Sequence, residues 1–186
     1  MHRRDRPSAA LQTILNLNLI EKSGIINGIA DHFDYGCGLG FDIKYLRTVG
    51  ICSTGWDKYQ PKWCDRPKIP AHCVTLSFVL ECIADPQERA IALIEAWNLT
   101  QQHLIITCRD NQRINRKWIP HKDGWLSTWG TFQTRWKRKD MIQWCEAILE
   151  QPSATISTHP PAIQFTRGDR PRQGNTQPWE NQTQQR

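Results

Sequence analysis

Leu11, Ile14, Leu15 and Leu19 recur at helical spacing, and Ser8 stands where a cap belongs. The pattern predicts a helix over residues 8–22, closed by Gly24. Residues 32–35 form a short strand-like run with glycines directly after it. Ile43, Leu46 and Val49 then share one side of a predicted helix over 42–49. A second strand, 51–56, ends at Asp57. Residues 58–71 carry Pro61, Pro67 and Pro70 and leave no room for a full helix–strand unit. The nearly unbroken apolar run 73–80 reads as a strand buried on both faces. Asp85-Pro86 is a helix start, with Asp85 the cap and Pro86 the first turn, and the helix runs to residue 99. Residues 103–108 are another buried strand. Met141, Ile142, Cys145, Ile148 and Leu149 place a helix over 137–150. Strands at 154–158 and 162–166, split by His159-Pro160-Pro161, make a hairpin.

Helices alternating with strands imply an α/β fold: a mainly parallel sheet with helices on both faces and a closing antiparallel hairpin. The 186 residues suffice for one domain, expected over 8–167, between a flexible basic arm (1–7) and a polar tail rich in Gln, Asn, Pro and Arg (168–186) expected to be disordered. Hydrophobic residues are 39% and charged residues 23%, as in soluble globular chains. No run approaches the roughly 18–20 apolar residues that cross a bilayer, so no membrane partner is expected. The basic N-terminus is followed by Gln12, Asn16 and Asn18 rather than an apolar signal core.

The seven cysteines form no CxxC pair, and no metal-ligand spacing is present. An odd number of dispersed thiols, several within apolar runs, suits a reducing cytoplasm. The net charge of +6 is concentrated: residues 109–140 hold nine Lys or Arg against three Asp, and four of the nine tryptophans. Periodicity assigns no structure to this segment.

The candidate chemistry lies between the first two strands. Asp34-Tyr35-Gly36-Cys37-Gly38-Leu39-Gly40 joins a strand to a helix, at the strand end where open α/β sheets bind ligands. Glycines there allow a tight turn and close approach of a ligand to backbone. The spacing is GxGxG, not the GxGxxG of dinucleotide sites. Asp57, at the end of the next strand, is placed to accept hydrogen bonds from two ribose hydroxyls.

DYGCGLGFD resembles the first motif of class I S-adenosylmethionine-dependent methyltransferases, and FVLECIADPQERAIALIEAW resembles their fourth-strand region. More narrowly, DRPSA, HFDYGCGLGFDIKYLRTVGI, GWDKYQP, the region 76–89 and GTFQ at 130–133 are similar in order to methyltransferases associated with DNA phosphorothioation. They span most of residues 6–168. The resemblance implies a Rossmann-like sheet whose third strand is missing or reduced, because residues 58–71 are too few for it. It implies S-adenosylmethionine as cofactor, with its methionine end on Asp34, Gly36, Cys37, Gly38 and Gly40, its ribose on Asp57, and Ser77 and Phe78 beside the point of methyl transfer. Asp42 would help order the loop, and adenine contacts would come from Trp63 or Ile69. Departures are a missing region before the domain and His72 where an acidic residue commonly opens the fourth strand.

No compelling general base is present. Glu81 and His72 are the nearest titratable candidates, and a buried structural role competes for both, as it does for Cys82 as nucleophile. In the basic segment Arg113, Arg116, Lys117, Arg135, Lys137, Arg138 and Lys139 are candidates for phosphates, and Trp118, Trp125, Trp129 and Trp136 for bases. Gly124, Gly130 and residues 131–133 are candidates for a substrate-side wall. The competing reading is a solvated basic surface over packed tryptophans. Two functions follow: a methyltransferase of a DNA-modification system, with nucleic acid and modification proteins as partners, or a catalytically weak methyltransferase fold that binds nucleic acid as an accessory factor. A nicotinamide oxidoreductase is the remote third, because GxGxG with a following acid permits it.

Overall fold

Ser8 does cap the first helix, α1 (Ala9–Asn16), its hydroxyl accepting from Leu11 N–H at 3.1 Å. In this computed structural model, which describes residues 6–109, 114–134 and 136–168, the helix stops earlier than its apolar spacing predicts. Asn18 takes a left-handed conformation, and Leu19 N–H reaches back to the carbonyl of Ile14 at 3.3 Å. That wrap closes the helix at Asn16, well before Gly24.

The chain continues through β1 (Ala30–Tyr35), α2 (Phe41–Thr48), β2 (Ser53–Trp56), β3 (Ala71–Ser77), a short 3-10 turn (Leu80–Cys82), α3 (Pro86–Leu99) and β4 (Thr100–Thr107). Three short strands follow, β5 (Ile119–His121), β6 (Gly124–Leu126) and β7 (Phe132–Thr134). Then come α4 (Arg138–Leu149), β8 (Ala154–Thr158) and β9 (Pro161–Thr166). The main sheet has the order β2-β1-β3-β4-β9-β8, parallel from β2 to β4, with the antiparallel β8-β9 hairpin joined through β9 to β4 and β8 at the edge. The chain from β2 to β3, residues 57–70, forms no strand, and β2 is a sheet edge. Asp85 caps α3 as its sequence predicts, accepting from Gln87 N–H at 2.8 Å with Pro86 in the first turn.

Alternation within each strand divides the core into two layers. Phe33, Tyr35, Val74, Leu76, Leu104, Ile106, Ile163 and Phe165 pack against α3 and α4. On the other face Leu11, Leu46 and Ile51 form one cluster and Ile14, Cys73 and Ile105 another, beneath α1 and α2. Ser8 ties these two helices together, since both its N–H and its hydroxyl donate to the Asp42 carboxylate. Asp42 therefore orders the start of α1. Among the described residues no helix is long and apolar enough to cross a membrane.

The segment without periodicity contains the β5-β6-β7 meander, a separate sheet in which Ile119 pairs with Leu126 and Leu126 with Phe132. Strands of three residues cannot hold themselves together. They are fastened by Arg89 of α3, a guanidinium only 2% exposed. It donates to both oxygens of Asp123 (2.6 and 3.1 Å), twice to the carbonyl of Ile83, and to Thr134, and it lies 5.2 Å from the Trp136 ring. Arg89→Ala is expected to cost about 3 kcal/mol in urea denaturation, because it strands several acceptors and opens a cavity. Arg89→Lys should recover less than half, since an ammonium cannot span both oxygens.

Candidate functional site

The glycine loop begins where β1 ends. Gly36 and Cys37 N–H groups donate to the carbonyl of Trp56 (2.8 and 3.2 Å), which draws the loop against the end of β2. Gly38 N–H donates to one Asp57 oxygen at 2.8 Å and Tyr59 N–H to the other at 2.9 Å. The carboxylate thus closes the loop from outside. A Cβ on Gly36 would lie 2.4 Å from a methyl of Val79, and one on Gly40 would lie 2.4 Å from the Trp63 ring. Gly40 also has φ +70° and starts α2. Gly38 meets nothing within 4 Å, so its backbone faces open space.

Asp34 sits beneath the loop and is only 7% exposed. The Thr75 hydroxyl donates to its Oδ1 at 2.9 Å. Burial pushes the carboxyl up to about 7, against the lowering effect of Thr75, with Asp42 and Asp57 adding to the rise. Next to it, His32 bridges Ser53 (Nδ1, 2.8 Å) and Thr75 (Nε2, 3.1 Å). Burial holds the imidazole neutral, down at about 3. Three adjacent strands, β2, β1 and β3, therefore share one buried polar chain from Ser53 to Asp34.

Ser77 ends β3 opposite Thr107 of β4. Phe78 follows with φ +60°, a conformation that costs an aromatic residue strain and that collects at functional sites. Its N–H donates to the Thr107 carbonyl at 2.7 Å, and the Arg109 guanidinium lies 5.4 Å from its ring. Both residues stand at the same sheet end as the glycine loop, as expected, and Val79 touches Gly36 directly.

The two candidate bases are placed differently. His72 is the second residue of β3, at the far end of the strand, roughly 16 Å from Ser77 at 3.3 Å per residue. A parallel strand carries its ligand-facing residues at its C-terminal end, so His72 is removed from the site. Glu81 is at the right end but buried. Its Oε1 accepts from Arg109 N–H at 3.2 Å, and burial raises its carboxyl above the usual range. It secures the chain leaving β4. Cys82 is exposed; it donates to the Phe78 carbonyl and accepts from Gln133 Nε2 at 3.1 Å, and partial desolvation with the nearby Glu81 carboxyl raises its thiol, which favours the protonated form over a thiolate. Trp63 is buried beneath Gly40 with Lys62 and Arg66 across its ring, which makes it a floor for the loop rather than an open adenine platform. Ile69 packs against the main core.

The basic candidates do not converge. Arg113 and Arg135 lie outside the described residues. Register puts Arg116 and Lys117, both exposed, at the meander end that carries the 127–131 loop. Lys137 and Arg138 stand at the opposite end, where Arg138 donates to the Thr158 carbonyl at 3.0 Å. Trp136 stacks on Trp144, and Trp118 and Trp125 are half-buried. Trp129 is 90% exposed. Gly124 is buried inside the meander against Phe132, and Gln133 Nε2 donates to Cys82 Sγ at 3.1 Å.

Sequence reasoning missed His32, Ser53 and Thr75, whose polar side chains sit at alternating positions of strands it read only for their apolar residues.

No protein-family profile matches this chain, and no curated protein matches it. Solved structures do. The 1,6-didemethyltoxoflavin-N1-methyltransferase of Burkholderia thailandensis, with S-adenosylhomocysteine and 1,6-didemethyltoxoflavin bound, is similar at 12% identity over 87% of this chain and 77% of that one, with a TM-score of 0.57. The methyltransferase CcbJ of Streptomyces caelestis is similar at 11% identity over 86% and 88%, with a TM-score of 0.55. CalS10, an amino pentose methyltransferase from Micromonospora echinaspora with S-adenosylmethionine bound, is similar at 11% identity over 86% and 89%, with a TM-score of 0.53. The chain has the Rossmann-like fold of these methyltransferases.

Proposed function

We propose that this chain is a methyltransferase that uses S-adenosylmethionine. One observation carries the reading: a row of glycines at the C-terminal end of β1, with a buried carboxylate under it and a second carboxylate closing it. The residues fit the cofactor. Asp34 suits an ammonium group, Gly36 and Gly40 let the loop lie against Val79 and Trp63, the open backbone at Gly38 gives the methionine end close access, Cys37 lies within that loop, and the spare lone pairs of Asp57 suit ribose hydroxyls. When bound, S-adenosylmethionine supplies a methyl group already activated on a positive sulfur. The protein's part is then orientation and exclusion of water, with Ser77 and the strained Phe78 forming the wall on the acceptor side.

Calorimetric titration with S-adenosylhomocysteine tests this. Binding in the micromolar range is expected, and no heat at millimolar ligand would overturn the reading. Asp57→Ala should weaken binding about 30-fold, in the range of charge-assisted hydrogen bonds. An unchanged affinity removes Asp57 from the site.

For the acceptor we propose nucleic acid, in a DNA-modification setting with other modification proteins as partners. Sequence resemblance supports that setting, and one surface feature supports the acceptor. The 127–131 loop is pinned by Ser127, which bonds Thr131 through backbone and side chain and receives Trp129 N–H, and it exposes Trp129 to solvent at the meander end that also carries Arg116 and Lys117. An exposed indole at the same end as cations suits base stacking. Gel shifts with single-stranded DNA over a salt series should show salt-sensitive binding, and Trp129→Ala should weaken it about tenfold. No shift at low salt would count against nucleic acid. Binding by a chain that takes no S-adenosylhomocysteine would favour the accessory-factor reading instead. Seven unpaired cysteines support a reducing cytoplasmic setting.

A further inference from the structure

The buried polar chain across β2, β1 and β3 has a direction. An ionised Asp34 can only accept, so the Thr75 hydroxyl gives its single proton to Oδ1 at 2.9 Å. The Thr75 oxygen must then accept at 3.1 Å from Nε2 of His32, which makes that nitrogen the protonated one. Nδ1 is left bare and takes the Ser53 hydroxyl at 2.8 Å. All four residues are buried, so water does not complete these bonds. If solvent protonates Asp34, the whole chain can reverse: the carboxyl donates to Thr75, Thr75 to Nε2, and Nδ1–H to Ser53.

We propose that Thr75, His32 and Ser53 are positioning residues, a one-way donor chain that holds Asp34 as a carboxylate aimed at the ammonium of the cofactor's amino-acid end. The proposal rests on the cofactor reading above and names the part of the cofactor that the chain controls. A buried carboxylate loses its hydration, and a chain of donors ending on one oxygen replaces part of it while holding the group still. The charged and titratable groups around Asp34 are Asp42 on α2, Asp57 beyond β2, Cys37 in the loop and His32 two residues back. Burial keeps His32 and Cys37 neutral, and the two aspartates oppose ionisation of Asp34. With Asp34 set near 7, the amino-acid end is gripped more firmly as pH rises through neutrality, because an ammonium has a carboxylate to meet only then.

The test compares S-adenosylhomocysteine with 5′-methylthioadenosine, which keeps the nucleoside and thioether but lacks the amino acid. Wild-type protein, Thr75→Val and Thr75→Ser are titrated with both at pH 6 and pH 8. Thr75→Val is expected to lose about tenfold in affinity for S-adenosylhomocysteine and none for methylthioadenosine, and Thr75→Ser to regain it. Unchanged methylthioadenosine binding also shows that the variants are folded. Wild-type affinity for S-adenosylhomocysteine should rise from pH 6 to pH 8 while that for methylthioadenosine stays level. In 15N NMR of the imidazole, His32 should be the Nε2–H tautomer when S-adenosylhomocysteine is bound.

Equal losses for both ligands, no loss for either, or an Nδ1–H tautomer in the complex would overturn the positioning role while leaving the cofactor reading intact. A wild-type protein that binds neither ligand overturns the cofactor reading itself, and the proposal with it.

Discussion

Asp34→Asn and His32→Gln are expected to unfold with opposite pH profiles. Burial lowers His32 from 6.5 to about 3, so between those values the unfolded chain binds a proton that the folded chain does not. Its contribution to stability is present above pH 6.5 and is lost as pH falls towards 3. Burial raises Asp34 from 3.8 to about 7, so in nearly the same window the folded chain holds a proton that the unfolded one lacks. That contribution is present below pH 3.8 and is lost as pH rises through 7. In the wild type the two slopes oppose each other between about pH 4 and 6.5, because a charged pair in the unfolded chain becomes a neutral pair in the fold. Removing one partner exposes the other. At about 1.4 kcal/mol per pH unit, Asp34→Asn should lose about 3 kcal/mol between pH 6.5 and pH 4. His32→Gln should lose a similar amount between pH 4 and pH 6.5. Urea denaturation at half-unit pH steps reads the slopes independently of any constant cost of substitution. Parallel profiles in the two variants would show that these groups do not titrate as their burial requires.

Gly40→Ala is expected to destabilise the protein by about 3 kcal/mol and to abolish measurable binding of S-adenosylhomocysteine. A left-handed backbone costs alanine roughly 1 kcal/mol. The added methyl would also stand 2.4, 2.9 and 3.1 Å from three atoms of the Trp63 indole, the first two closer than real contacts allow. The indole is rigid and buried, with Lys62 and Arg66 each 5.1 Å from its ring. Overpacking of this kind costs about 1–3 kcal/mol and moves whatever is less firmly held, here the loop. Trp63→Leu in the Gly40→Ala background should recover the packing part and leave the backbone part, so a double-mutant cycle separates the two. Additive effects would mean that the indole is not what fixes Gly40.

Much of this was legible in the chain because the signals are local. Apolar spacing and the caps at Ser8 and Asp85 place most elements, and the prolines of residues 58–71 agree with a sheet that ends at β2. The glycine loop and Asp57 announce a site because tight turns and strand ends demand particular residue types within a few positions. Other features depend on partners far away in sequence. The helix over 8–22 ended early because Asn18 adopts a left-handed turn that spacing does not reveal. The meander has strands of three residues, too short for any period, and exists because Arg89 reaches it from α3. His72 and Glu81 read alike as titratable neighbours of an apolar run, until the strand direction put one at the wrong end and packing enclosed the other.

By itself the sequence determined the order of the elements in the main sheet and the positions of the glycine loop and Asp57, which local patterns mark. The tertiary structure alone decided which polar groups meet. Thr75 reaches Asp34 across 41 residues and His32 reaches Thr75 across 43. Only strand register determines such pairs, and register is set by packing the whole sheet.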